Sequence, residues 1–97
     1  MKILIVDDER SIRNSLKEIL VDEGYDVDVA ENGVQGCDMV DKEKYSVIFC
    51  DIKMPEMDGM EFLDKINAMG VDAAVVMISG HGDIQTAVEC IKKGAFD

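Results

Sequence analysis

The sequence predicts an α/β domain built on a doubly wound parallel sheet. Short, uniformly apolar runs alternate with segments of helical periodicity from one end of the chain to the other, and two of those runs lead straight into aspartates. The 97 residues suffice for one domain, and no Gly/Ser/Pro-rich linker, internal repeat or low-complexity stretch points to a second.

The first strand is Lys2–Val6. Ile12, Leu16, Ile19 and Leu20 then fall at i, i+4, i+7 and i+8, which gives the first helix one apolar stripe, and Gly24 can stop it in a left-handed conformation. Tyr25, Val27 and Val29 alternate with Asp26 and Asp28, the pattern of an edge strand. Val34, Cys37 and Val40 mark a weaker second helix, in which Gly36 costs stability. Ser46–Cys50 is the central strand, and Asp51 ends it. Phe62, Leu63, Ile66 and Met69 stripe the third helix, and Ala73–Ile78 form the fourth strand. Ile84, Ala87, Val88 and Ile91 stripe the fourth helix, which Asp83 can cap, Lys92 and Lys93 suit through its dipole, and Gly94 can terminate.

Right-handed crossovers and an edge-like second strand give the flavodoxin-like order 2-1-3-4, with a fifth strand next to the fourth had the chain contained a fifth βα unit. Without that unit, Ala73–Ile78 is expected to be an open apolar edge and the sheet face beside the first helix to be uncovered. The 97-residue chain is then expected to be poorly stable, or to associate as a homodimer or through exchanged segments.

Composition narrows the functional classes. A net charge of −11 argues against direct binding to nucleic acid, which needs a basic face. Cys37, Cys50 and Cys90 are odd in number and widely spaced inside apolar patterns, as expected of reduced core thiols in a cytoplasmic protein. The apolar run before Asp7 is too short for a signal peptide or a membrane span.

The chemistry lies at the strand ends. Parallel strands share one C-terminal edge, where open α/β sheets bind ligands, so Asp7, Asp8 and Asp51 should converge there. One such aspartate alone reads as a helix cap or a strand end. Together they repel one another, and a hard, oxygen-ligated cation such as Mg2+ relieves the repulsion while leaving an ionised oxygen free to attack phosphorus. Pro55 stiffens the loop after Asp51 and Gly59 allows its tight entry into the third helix. Ser79 puts a hydroxyl at the same edge, able to donate to a phosphoryl oxygen. Glu9 is expected to cap the first helix rather than assist the metal, Met54 and Met57 to be exposed near the site, and His81 to be an exposed loop residue.

The segments Ile3–Glu9, Asp51–Gly59, Val75–Gly80 and Ala87–Asp97 resemble the receiver domain of a bacterial two-component response regulator. The resemblance implies that Asp51 takes a phosphoryl group from a phosphohistidine of a sensor histidine kinase. It also implies that Asp8, Asp51 and the Lys53 backbone carbonyl ligate Mg2+ directly, that Asp7 helps through water, and that Ser79 is the switch hydroxyl. Lys53 and His81 would flank the phosphoryl group, and the kinase would dock over Ser11 and Ser15. The run Ser79-Gly80-His81-Gly82-Asp83, with Ala87 and Lys93–Asp97, is most similar to receivers of sigma-54-dependent (NtrC-like) transcription activators. That implies a transcriptional output domain on a longer chain, and a signalling domain whose only catalysis is self-phosphorylation and slow self-dephosphorylation. The family's fifth strand carries a Lys and an aromatic that would lie beyond Asp97, so residues 1–97 are expected to be a receiver incomplete at its C-terminus.

Rival classes fit less well. An aspartyl-nucleophile phosphohydrolase generally has a second Asp where this chain has Lys53, and a calcium loop at Asp51–Gly59 would need oxygen ligands where Lys53 and Pro55 stand. A flavodoxin would want Ser, Thr and Gly where Asp7-Asp8-Glu9 repels phosphate. A pseudo-receiver acting only as a protein-interaction module is the remaining alternative, and the intact acidic triad argues against it.

Overall fold

A computed structural model describes residues 1–93 of the chain; the expected helix stop at Gly94 and the segment Ala95–Asp97 lie outside them. The elements are β1 (Lys2–Val6), α1 (Arg10–Asp22), β2 (Asp26–Ala30), α2 (Gly33–Lys42), β3 (Val47–Asp51), α3 (Gly59–Ala68), β4 (Ala74–Ile78) and, after a short 3-10 turn at His81–Asp83, α4 (Ile84–Lys92). The strands are all parallel and lie in the order β2-β1-β3-β4, so the doubly wound sheet is as the periodicity predicts, with β2 at an edge. Register pairs Val6 with Cys50, which sets Asp7 and Asp51 at neighbouring strand ends.

Two apolar layers cover the sheet. On one face Ile3, Ile5, Val27, Val47, Phe49 and Ile78 meet α1, and on the other Leu4, Val6, Ala30, Ile48 and Cys50 meet α2 and α3. The crossover rule explains this division: α1 leads from β1 outward to β2, whereas α2 and α3 lead the opposite way across the sheet.

The sheet face beside α1 is not open, contrary to the expectation from sequence. The stripe Ile84, Ala87, Val88 and Ile91 of α4 packs there with Ile12, Leu16 and Leu20, and Lys92 Nζ pairs with Glu23 Oε1 at 2.9 Å. The crossover rule governs helices that join two parallel strands, and among the described residues α4 follows the last strand, so its stripe takes the apolar surface that lies free. β4 has β3 as its one strand neighbour among the described residues, and Ala74–Met77 remain half-buried.

Helix faces depart from the predicted stripes in identifiable ways. In α1, Ile19 is exposed and Arg13 is buried instead. In α2, Val34 is 58% exposed, while the buried positions are Gly33, Gly36 and Val40. A Cβ on Gly36 would lie 2.8 Å from Phe62 Cε1 and 3.1 Å from Val6 Cγ2, so this glycine is what lets α2 approach the sheet and α3. Met69, expected in the α3 stripe, is exposed at its C-terminal end. Gly24 ends α1 at φ +95° as expected, and the side chains of Asn32 and Asp58 cap α2 and α3.

Gly36→Ala poses opposing effects: a gain of up to about 1 kcal/mol in helix propensity against about 1–3 kcal/mol for overpacking a closed core. Phe62 is fully buried and has no room to yield, so the clash should win. Urea unfolding should show Gly36→Ala to be the less stable protein by roughly 1–2 kcal/mol.

Candidate functional site

Asp7, Asp8 and Asp51 each bring a carboxylate oxygen within 4.8 Å of the others. Asp7 is fully buried, Asp51 is 8% exposed, and Asp8 is exposed. Main-chain bonds fix their strand ends: the Asp7 N–H donates to Ala30 O at 3.1 Å and the Ile52 N–H to Ile78 O at 3.1 Å. Asp7 Oδ1 accepts from the Glu9 N–H at 2.8 Å, whereas Asp7 Oδ2 is buried with no hydrogen-bond partner. A cluster of three carboxylates, one with an orphaned, buried oxygen, fits a hard divalent cation, which takes oxygen ligands and would remove the repulsion.

The electrostatics follow from this crowding. Burial pushes Asp51 up to about 6, with the charge of Asp7 and a hydrogen bond with Asp8 adding to it and the Lys53 N–H opposing. Asp7 is also raised, first by burial and then by Asp8 and Glu9, against the Glu9 N–H and the Arg13 guanidinium. Cys50, behind the site, is pushed up to about 12 by burial and by the Asp51 charge, so it remains a thiol, and it donates to Asp51 O at 3.4 Å.

Gly59 closes the loop after Asp51. Its N–H donates to Ile52 O at 2.9 Å, and a Cβ there would strike the Asp51 carbonyl. Glu56 adopts φ +68° between Pro55 and Met57. Met54 is buried in the layer with Phe62 and Ile66, and Met57 is half-buried beside Gly33; neither is the exposed residue expected from sequence.

A cleft of about 350 Å³ runs past Asp51, lined also by Glu9, Ile52, Lys53, Ser79 and Gly80. Glu9 occupies the N-cap position of α1 but makes no side-chain capping bond, so the expected cap is absent. Ser79 reaches the cleft, but its hydroxyl donates to Asp83 Oδ2 at 3.2 Å and its N–H to the same oxygen at 2.7 Å. Asp83, expected to cap α4, turns back to hold Ser79 instead. His81 is exposed, as expected, and its Nε2 lies 3.2 Å from Ser11 Oγ on α1. A larger cavity, about 470 Å³, opens at the opposite end of the strands between residues 40–45 and 70–72, and the described residues gather no metal-ligating cluster there.

Two participants escape sequence reasoning. Arg13 donates from Nη1 to Asp7 O at 2.7 Å, and its signal was an Arg at i−3 and i−7 from Leu16 and Leu20, on the inward face. The Ser79–Asp83 bond has the spacing i, i+4, which in sequence is indistinguishable from a cap of α4.

Comparison with known proteins agrees with this fold. The response regulator receiver domain family matches residues 3–97, and the chain belongs to that family. An NtrX-like response regulator of Rickettsia bellii is 43% identical over 97 residues, covering 98% of this chain and 20% of that protein. The transcriptional regulatory protein ZraR of Klebsiella oxytoca is 38% identical over 95 residues, covering 98% of this chain and 21% of that protein. The chain thus spans about a fifth of these longer relatives, whereas the chemotaxis protein CheY of Listeria monocytogenes, 42% identical over 98 residues, is covered to 82%. Among solved structures, the response regulator TrrA of Thermotoga maritima in complex with Mg(2+)-BeF superposes with a TM-score of 0.76 at 33% identity, over 93% of this chain and 78% of that one. No helix among the described residues is long and apolar enough to cross a membrane.

Between the unfolded value near 4 and the folded value of about 6, folded Asp51 holds a proton that the unfolded chain has lost. Its contribution to stability is therefore greatest at low pH and is lost as pH rises through that window. Without divalent cations, the melting temperature of Asp51→Asn should exceed that of the parent by a margin that grows from pH about 4 to about 6 and then levels off. Thermal scans in chelator at several pH values measure that margin.

Proposed function

We propose that this receiver domain is the phosphoacceptor of a two-component system. Asp51 takes a phosphoryl group from a phosphohistidine of a sensor histidine kinase and thereby controls an output domain on a longer, cytoplasmic chain. The observation that carries the reading is the convergence of Asp7, Asp8 and Asp51, together with the buried, unpartnered Oδ2 of Asp7.

Asp7, Asp8, Asp51 and the Lys53 carbonyl would hold Mg2+, which when bound supplies positive charge against the incoming phosphoryl oxygens. The Mg(2+)-BeF complex of the Thermotoga maritima relative supports the choice of cation. An Asp51 carboxylate oxygen attacks phosphorus, a P–O bond forms, the P–N bond to the imidazole breaks, and the imidazole leaves with the electron pair. Ionised Asp51 is the reactive form, and neutralising charge beside it lowers its raised pKa. Ser79 lines the cleft, and its hydroxyl can serve a phosphoryl oxygen once it exchanges the Asp83 carboxylate for it. Lys53 lines the same cleft, while His81 is held toward α1 by Ser11.

The transcriptional character of the output rests on relatives such as ZraR and on the resemblance to sigma-54-dependent activators. With a net charge of −11, this segment leaves nucleic acid to other parts of the protein.

Incubation of the full-length protein with acetyl phosphate and Mg2+ should add one phosphoryl group, seen as a mass shift mapped to Asp51. Asp51→Asn should abolish it, Asp8→Ala should reduce it severely, and excess chelator should stop it. Undiminished labelling of Asp51→Asn would sink the assignment, and a parent that accepts no phosphoryl group under these conditions would favour the pseudo-receiver.

Because Lys53 lines the cleft and His81 does not, the two should differ in control of the attacking water. Lys53→Ala should shorten the lifetime of the phosphorylated protein several-fold and His81→Ala should change it less, as measured by loss of label after donor removal. The reverse order would show that His81 leaves Ser11 to guard the acyl phosphate.

A further inference from the structure

The mechanism above leaves one buried charge unused. Arg13 faces inward from α1 with Leu16 and Leu20 and is 8% exposed. A guanidinium in such a place is costly unless its donors and its charge are both matched. Its two observed contacts are unequal. Nη1 donates to the Asp7 carbonyl at 2.7 Å in a buried bond, whereas Nη2 lies 3.8 Å from Oε1 of Glu31, a side chain 70% exposed. The second is too long for a hydrogen bond and is screened by water. The short bond therefore fixes the guanidinium, and what it grips is the peptide between Asp7 and Asp8.

That peptide is where β1 leaves the sheet. The Asp7 N–H is tied to Ala30 O on one side, and Asp7 Oδ1 is tied to the Glu9 N–H on the other. A third tie, to the carbonyl, sets the plane of the Asp7–Asp8 peptide and so the directions in which both carboxylates leave the chain. We propose that Arg13 is a positioning residue for the cation site: by locking the Asp7–Asp8 peptide it aims the Asp7 and Asp8 carboxylates at Asp51. The proposal rests on the reading that these three residues hold a divalent cation.

A purely electrostatic role would have the opposite sign. Removing a positive charge beside three carboxylates should draw a second cation in more tightly, whereas removing a positioning bond should weaken its binding. Partners that orient metal ligands typically account for about 10–100-fold in metal affinity. Arg also differs from Lys in a useful way, since Lys keeps the charge and a donor but lacks the planar fork.

Calorimetric titration of Mg2+ into the full-length protein decides the matter, with melting temperatures in chelator recorded separately. Arg13→Met should raise the Mg2+ dissociation constant by about 100-fold and Arg13→Lys by about 10-fold, with the Asp8 and Glu9 amide resonances displaced before metal is added. An equal or tighter dissociation constant in Arg13→Met would overturn the positioning role. If that variant does not fold, an unchanged constant in Arg13→Lys does the same. A lowered melting temperature with unaltered Mg2+ affinity would make Arg13 merely structural, which also overturns the proposal. A parent protein that binds no Mg2+ would overturn the cation reading itself, and the positioning role with it.

Discussion

The mutual repulsion of three carboxylates at one sheet edge is the constraint on which the rest of this molecule turns. Parallel pairing of β1 with β3 forces Asp7 and Asp51 to be neighbours, and neither can retreat, because both strands are buried on both faces. The domain holds an arrangement that is unfavourable by itself, and it does so with main-chain ties to Ala30, Glu9 and Ile78 and with the Arg13 guanidinium on the Asp7 carbonyl. A divalent cation bound among these carboxylates would relieve that repulsion.

Several otherwise odd residues become intelligible from that constraint. Gly59 is glycine because the Asp51 carbonyl occupies the space of a Cβ, and Cys50 stays an inert thiol because it is buried and lies against the same negative charge. Ser79 and Asp83 form a closed pair at the mouth of the cleft, so the hydroxyl there is already satisfied until a stronger acceptor arrives.

Much of this was legible in the residues, and the gaps have physical causes. Buried parallel strands are almost continuously apolar, so β1, β3 and β4, with the aspartates at the ends of β1 and β3, are legible within a residue or so, and β2 is legible from its alternation. Helix faces were harder. In α2 the contact is made by Gly33 and Gly36, which carry no hydrophobic signal, so the apolar periodicity runs through Val34, which faces water. Arg13 was invisible for the complementary reason: periodicity scores it as polar, whereas a buried main-chain acceptor makes it an inward residue. Asp83 reads as a helix cap because nothing in the spacing distinguishes an acceptor for the α4 amides from one for Ser79.

The position of α4 has a topological consequence. A strand that followed α4 and paired in parallel with the edge of β4 opposite β3 would turn α4 into a crossover, and right-handed geometry would place it over the face shared by α2 and α3. Val75 and Met77, half-buried there, would receive the stripe that now rests beside α1, and the ion pair between Lys92 and Glu23 would part. The pairing state of the β4 edge would then decide which face of the sheet the fourth helix covers.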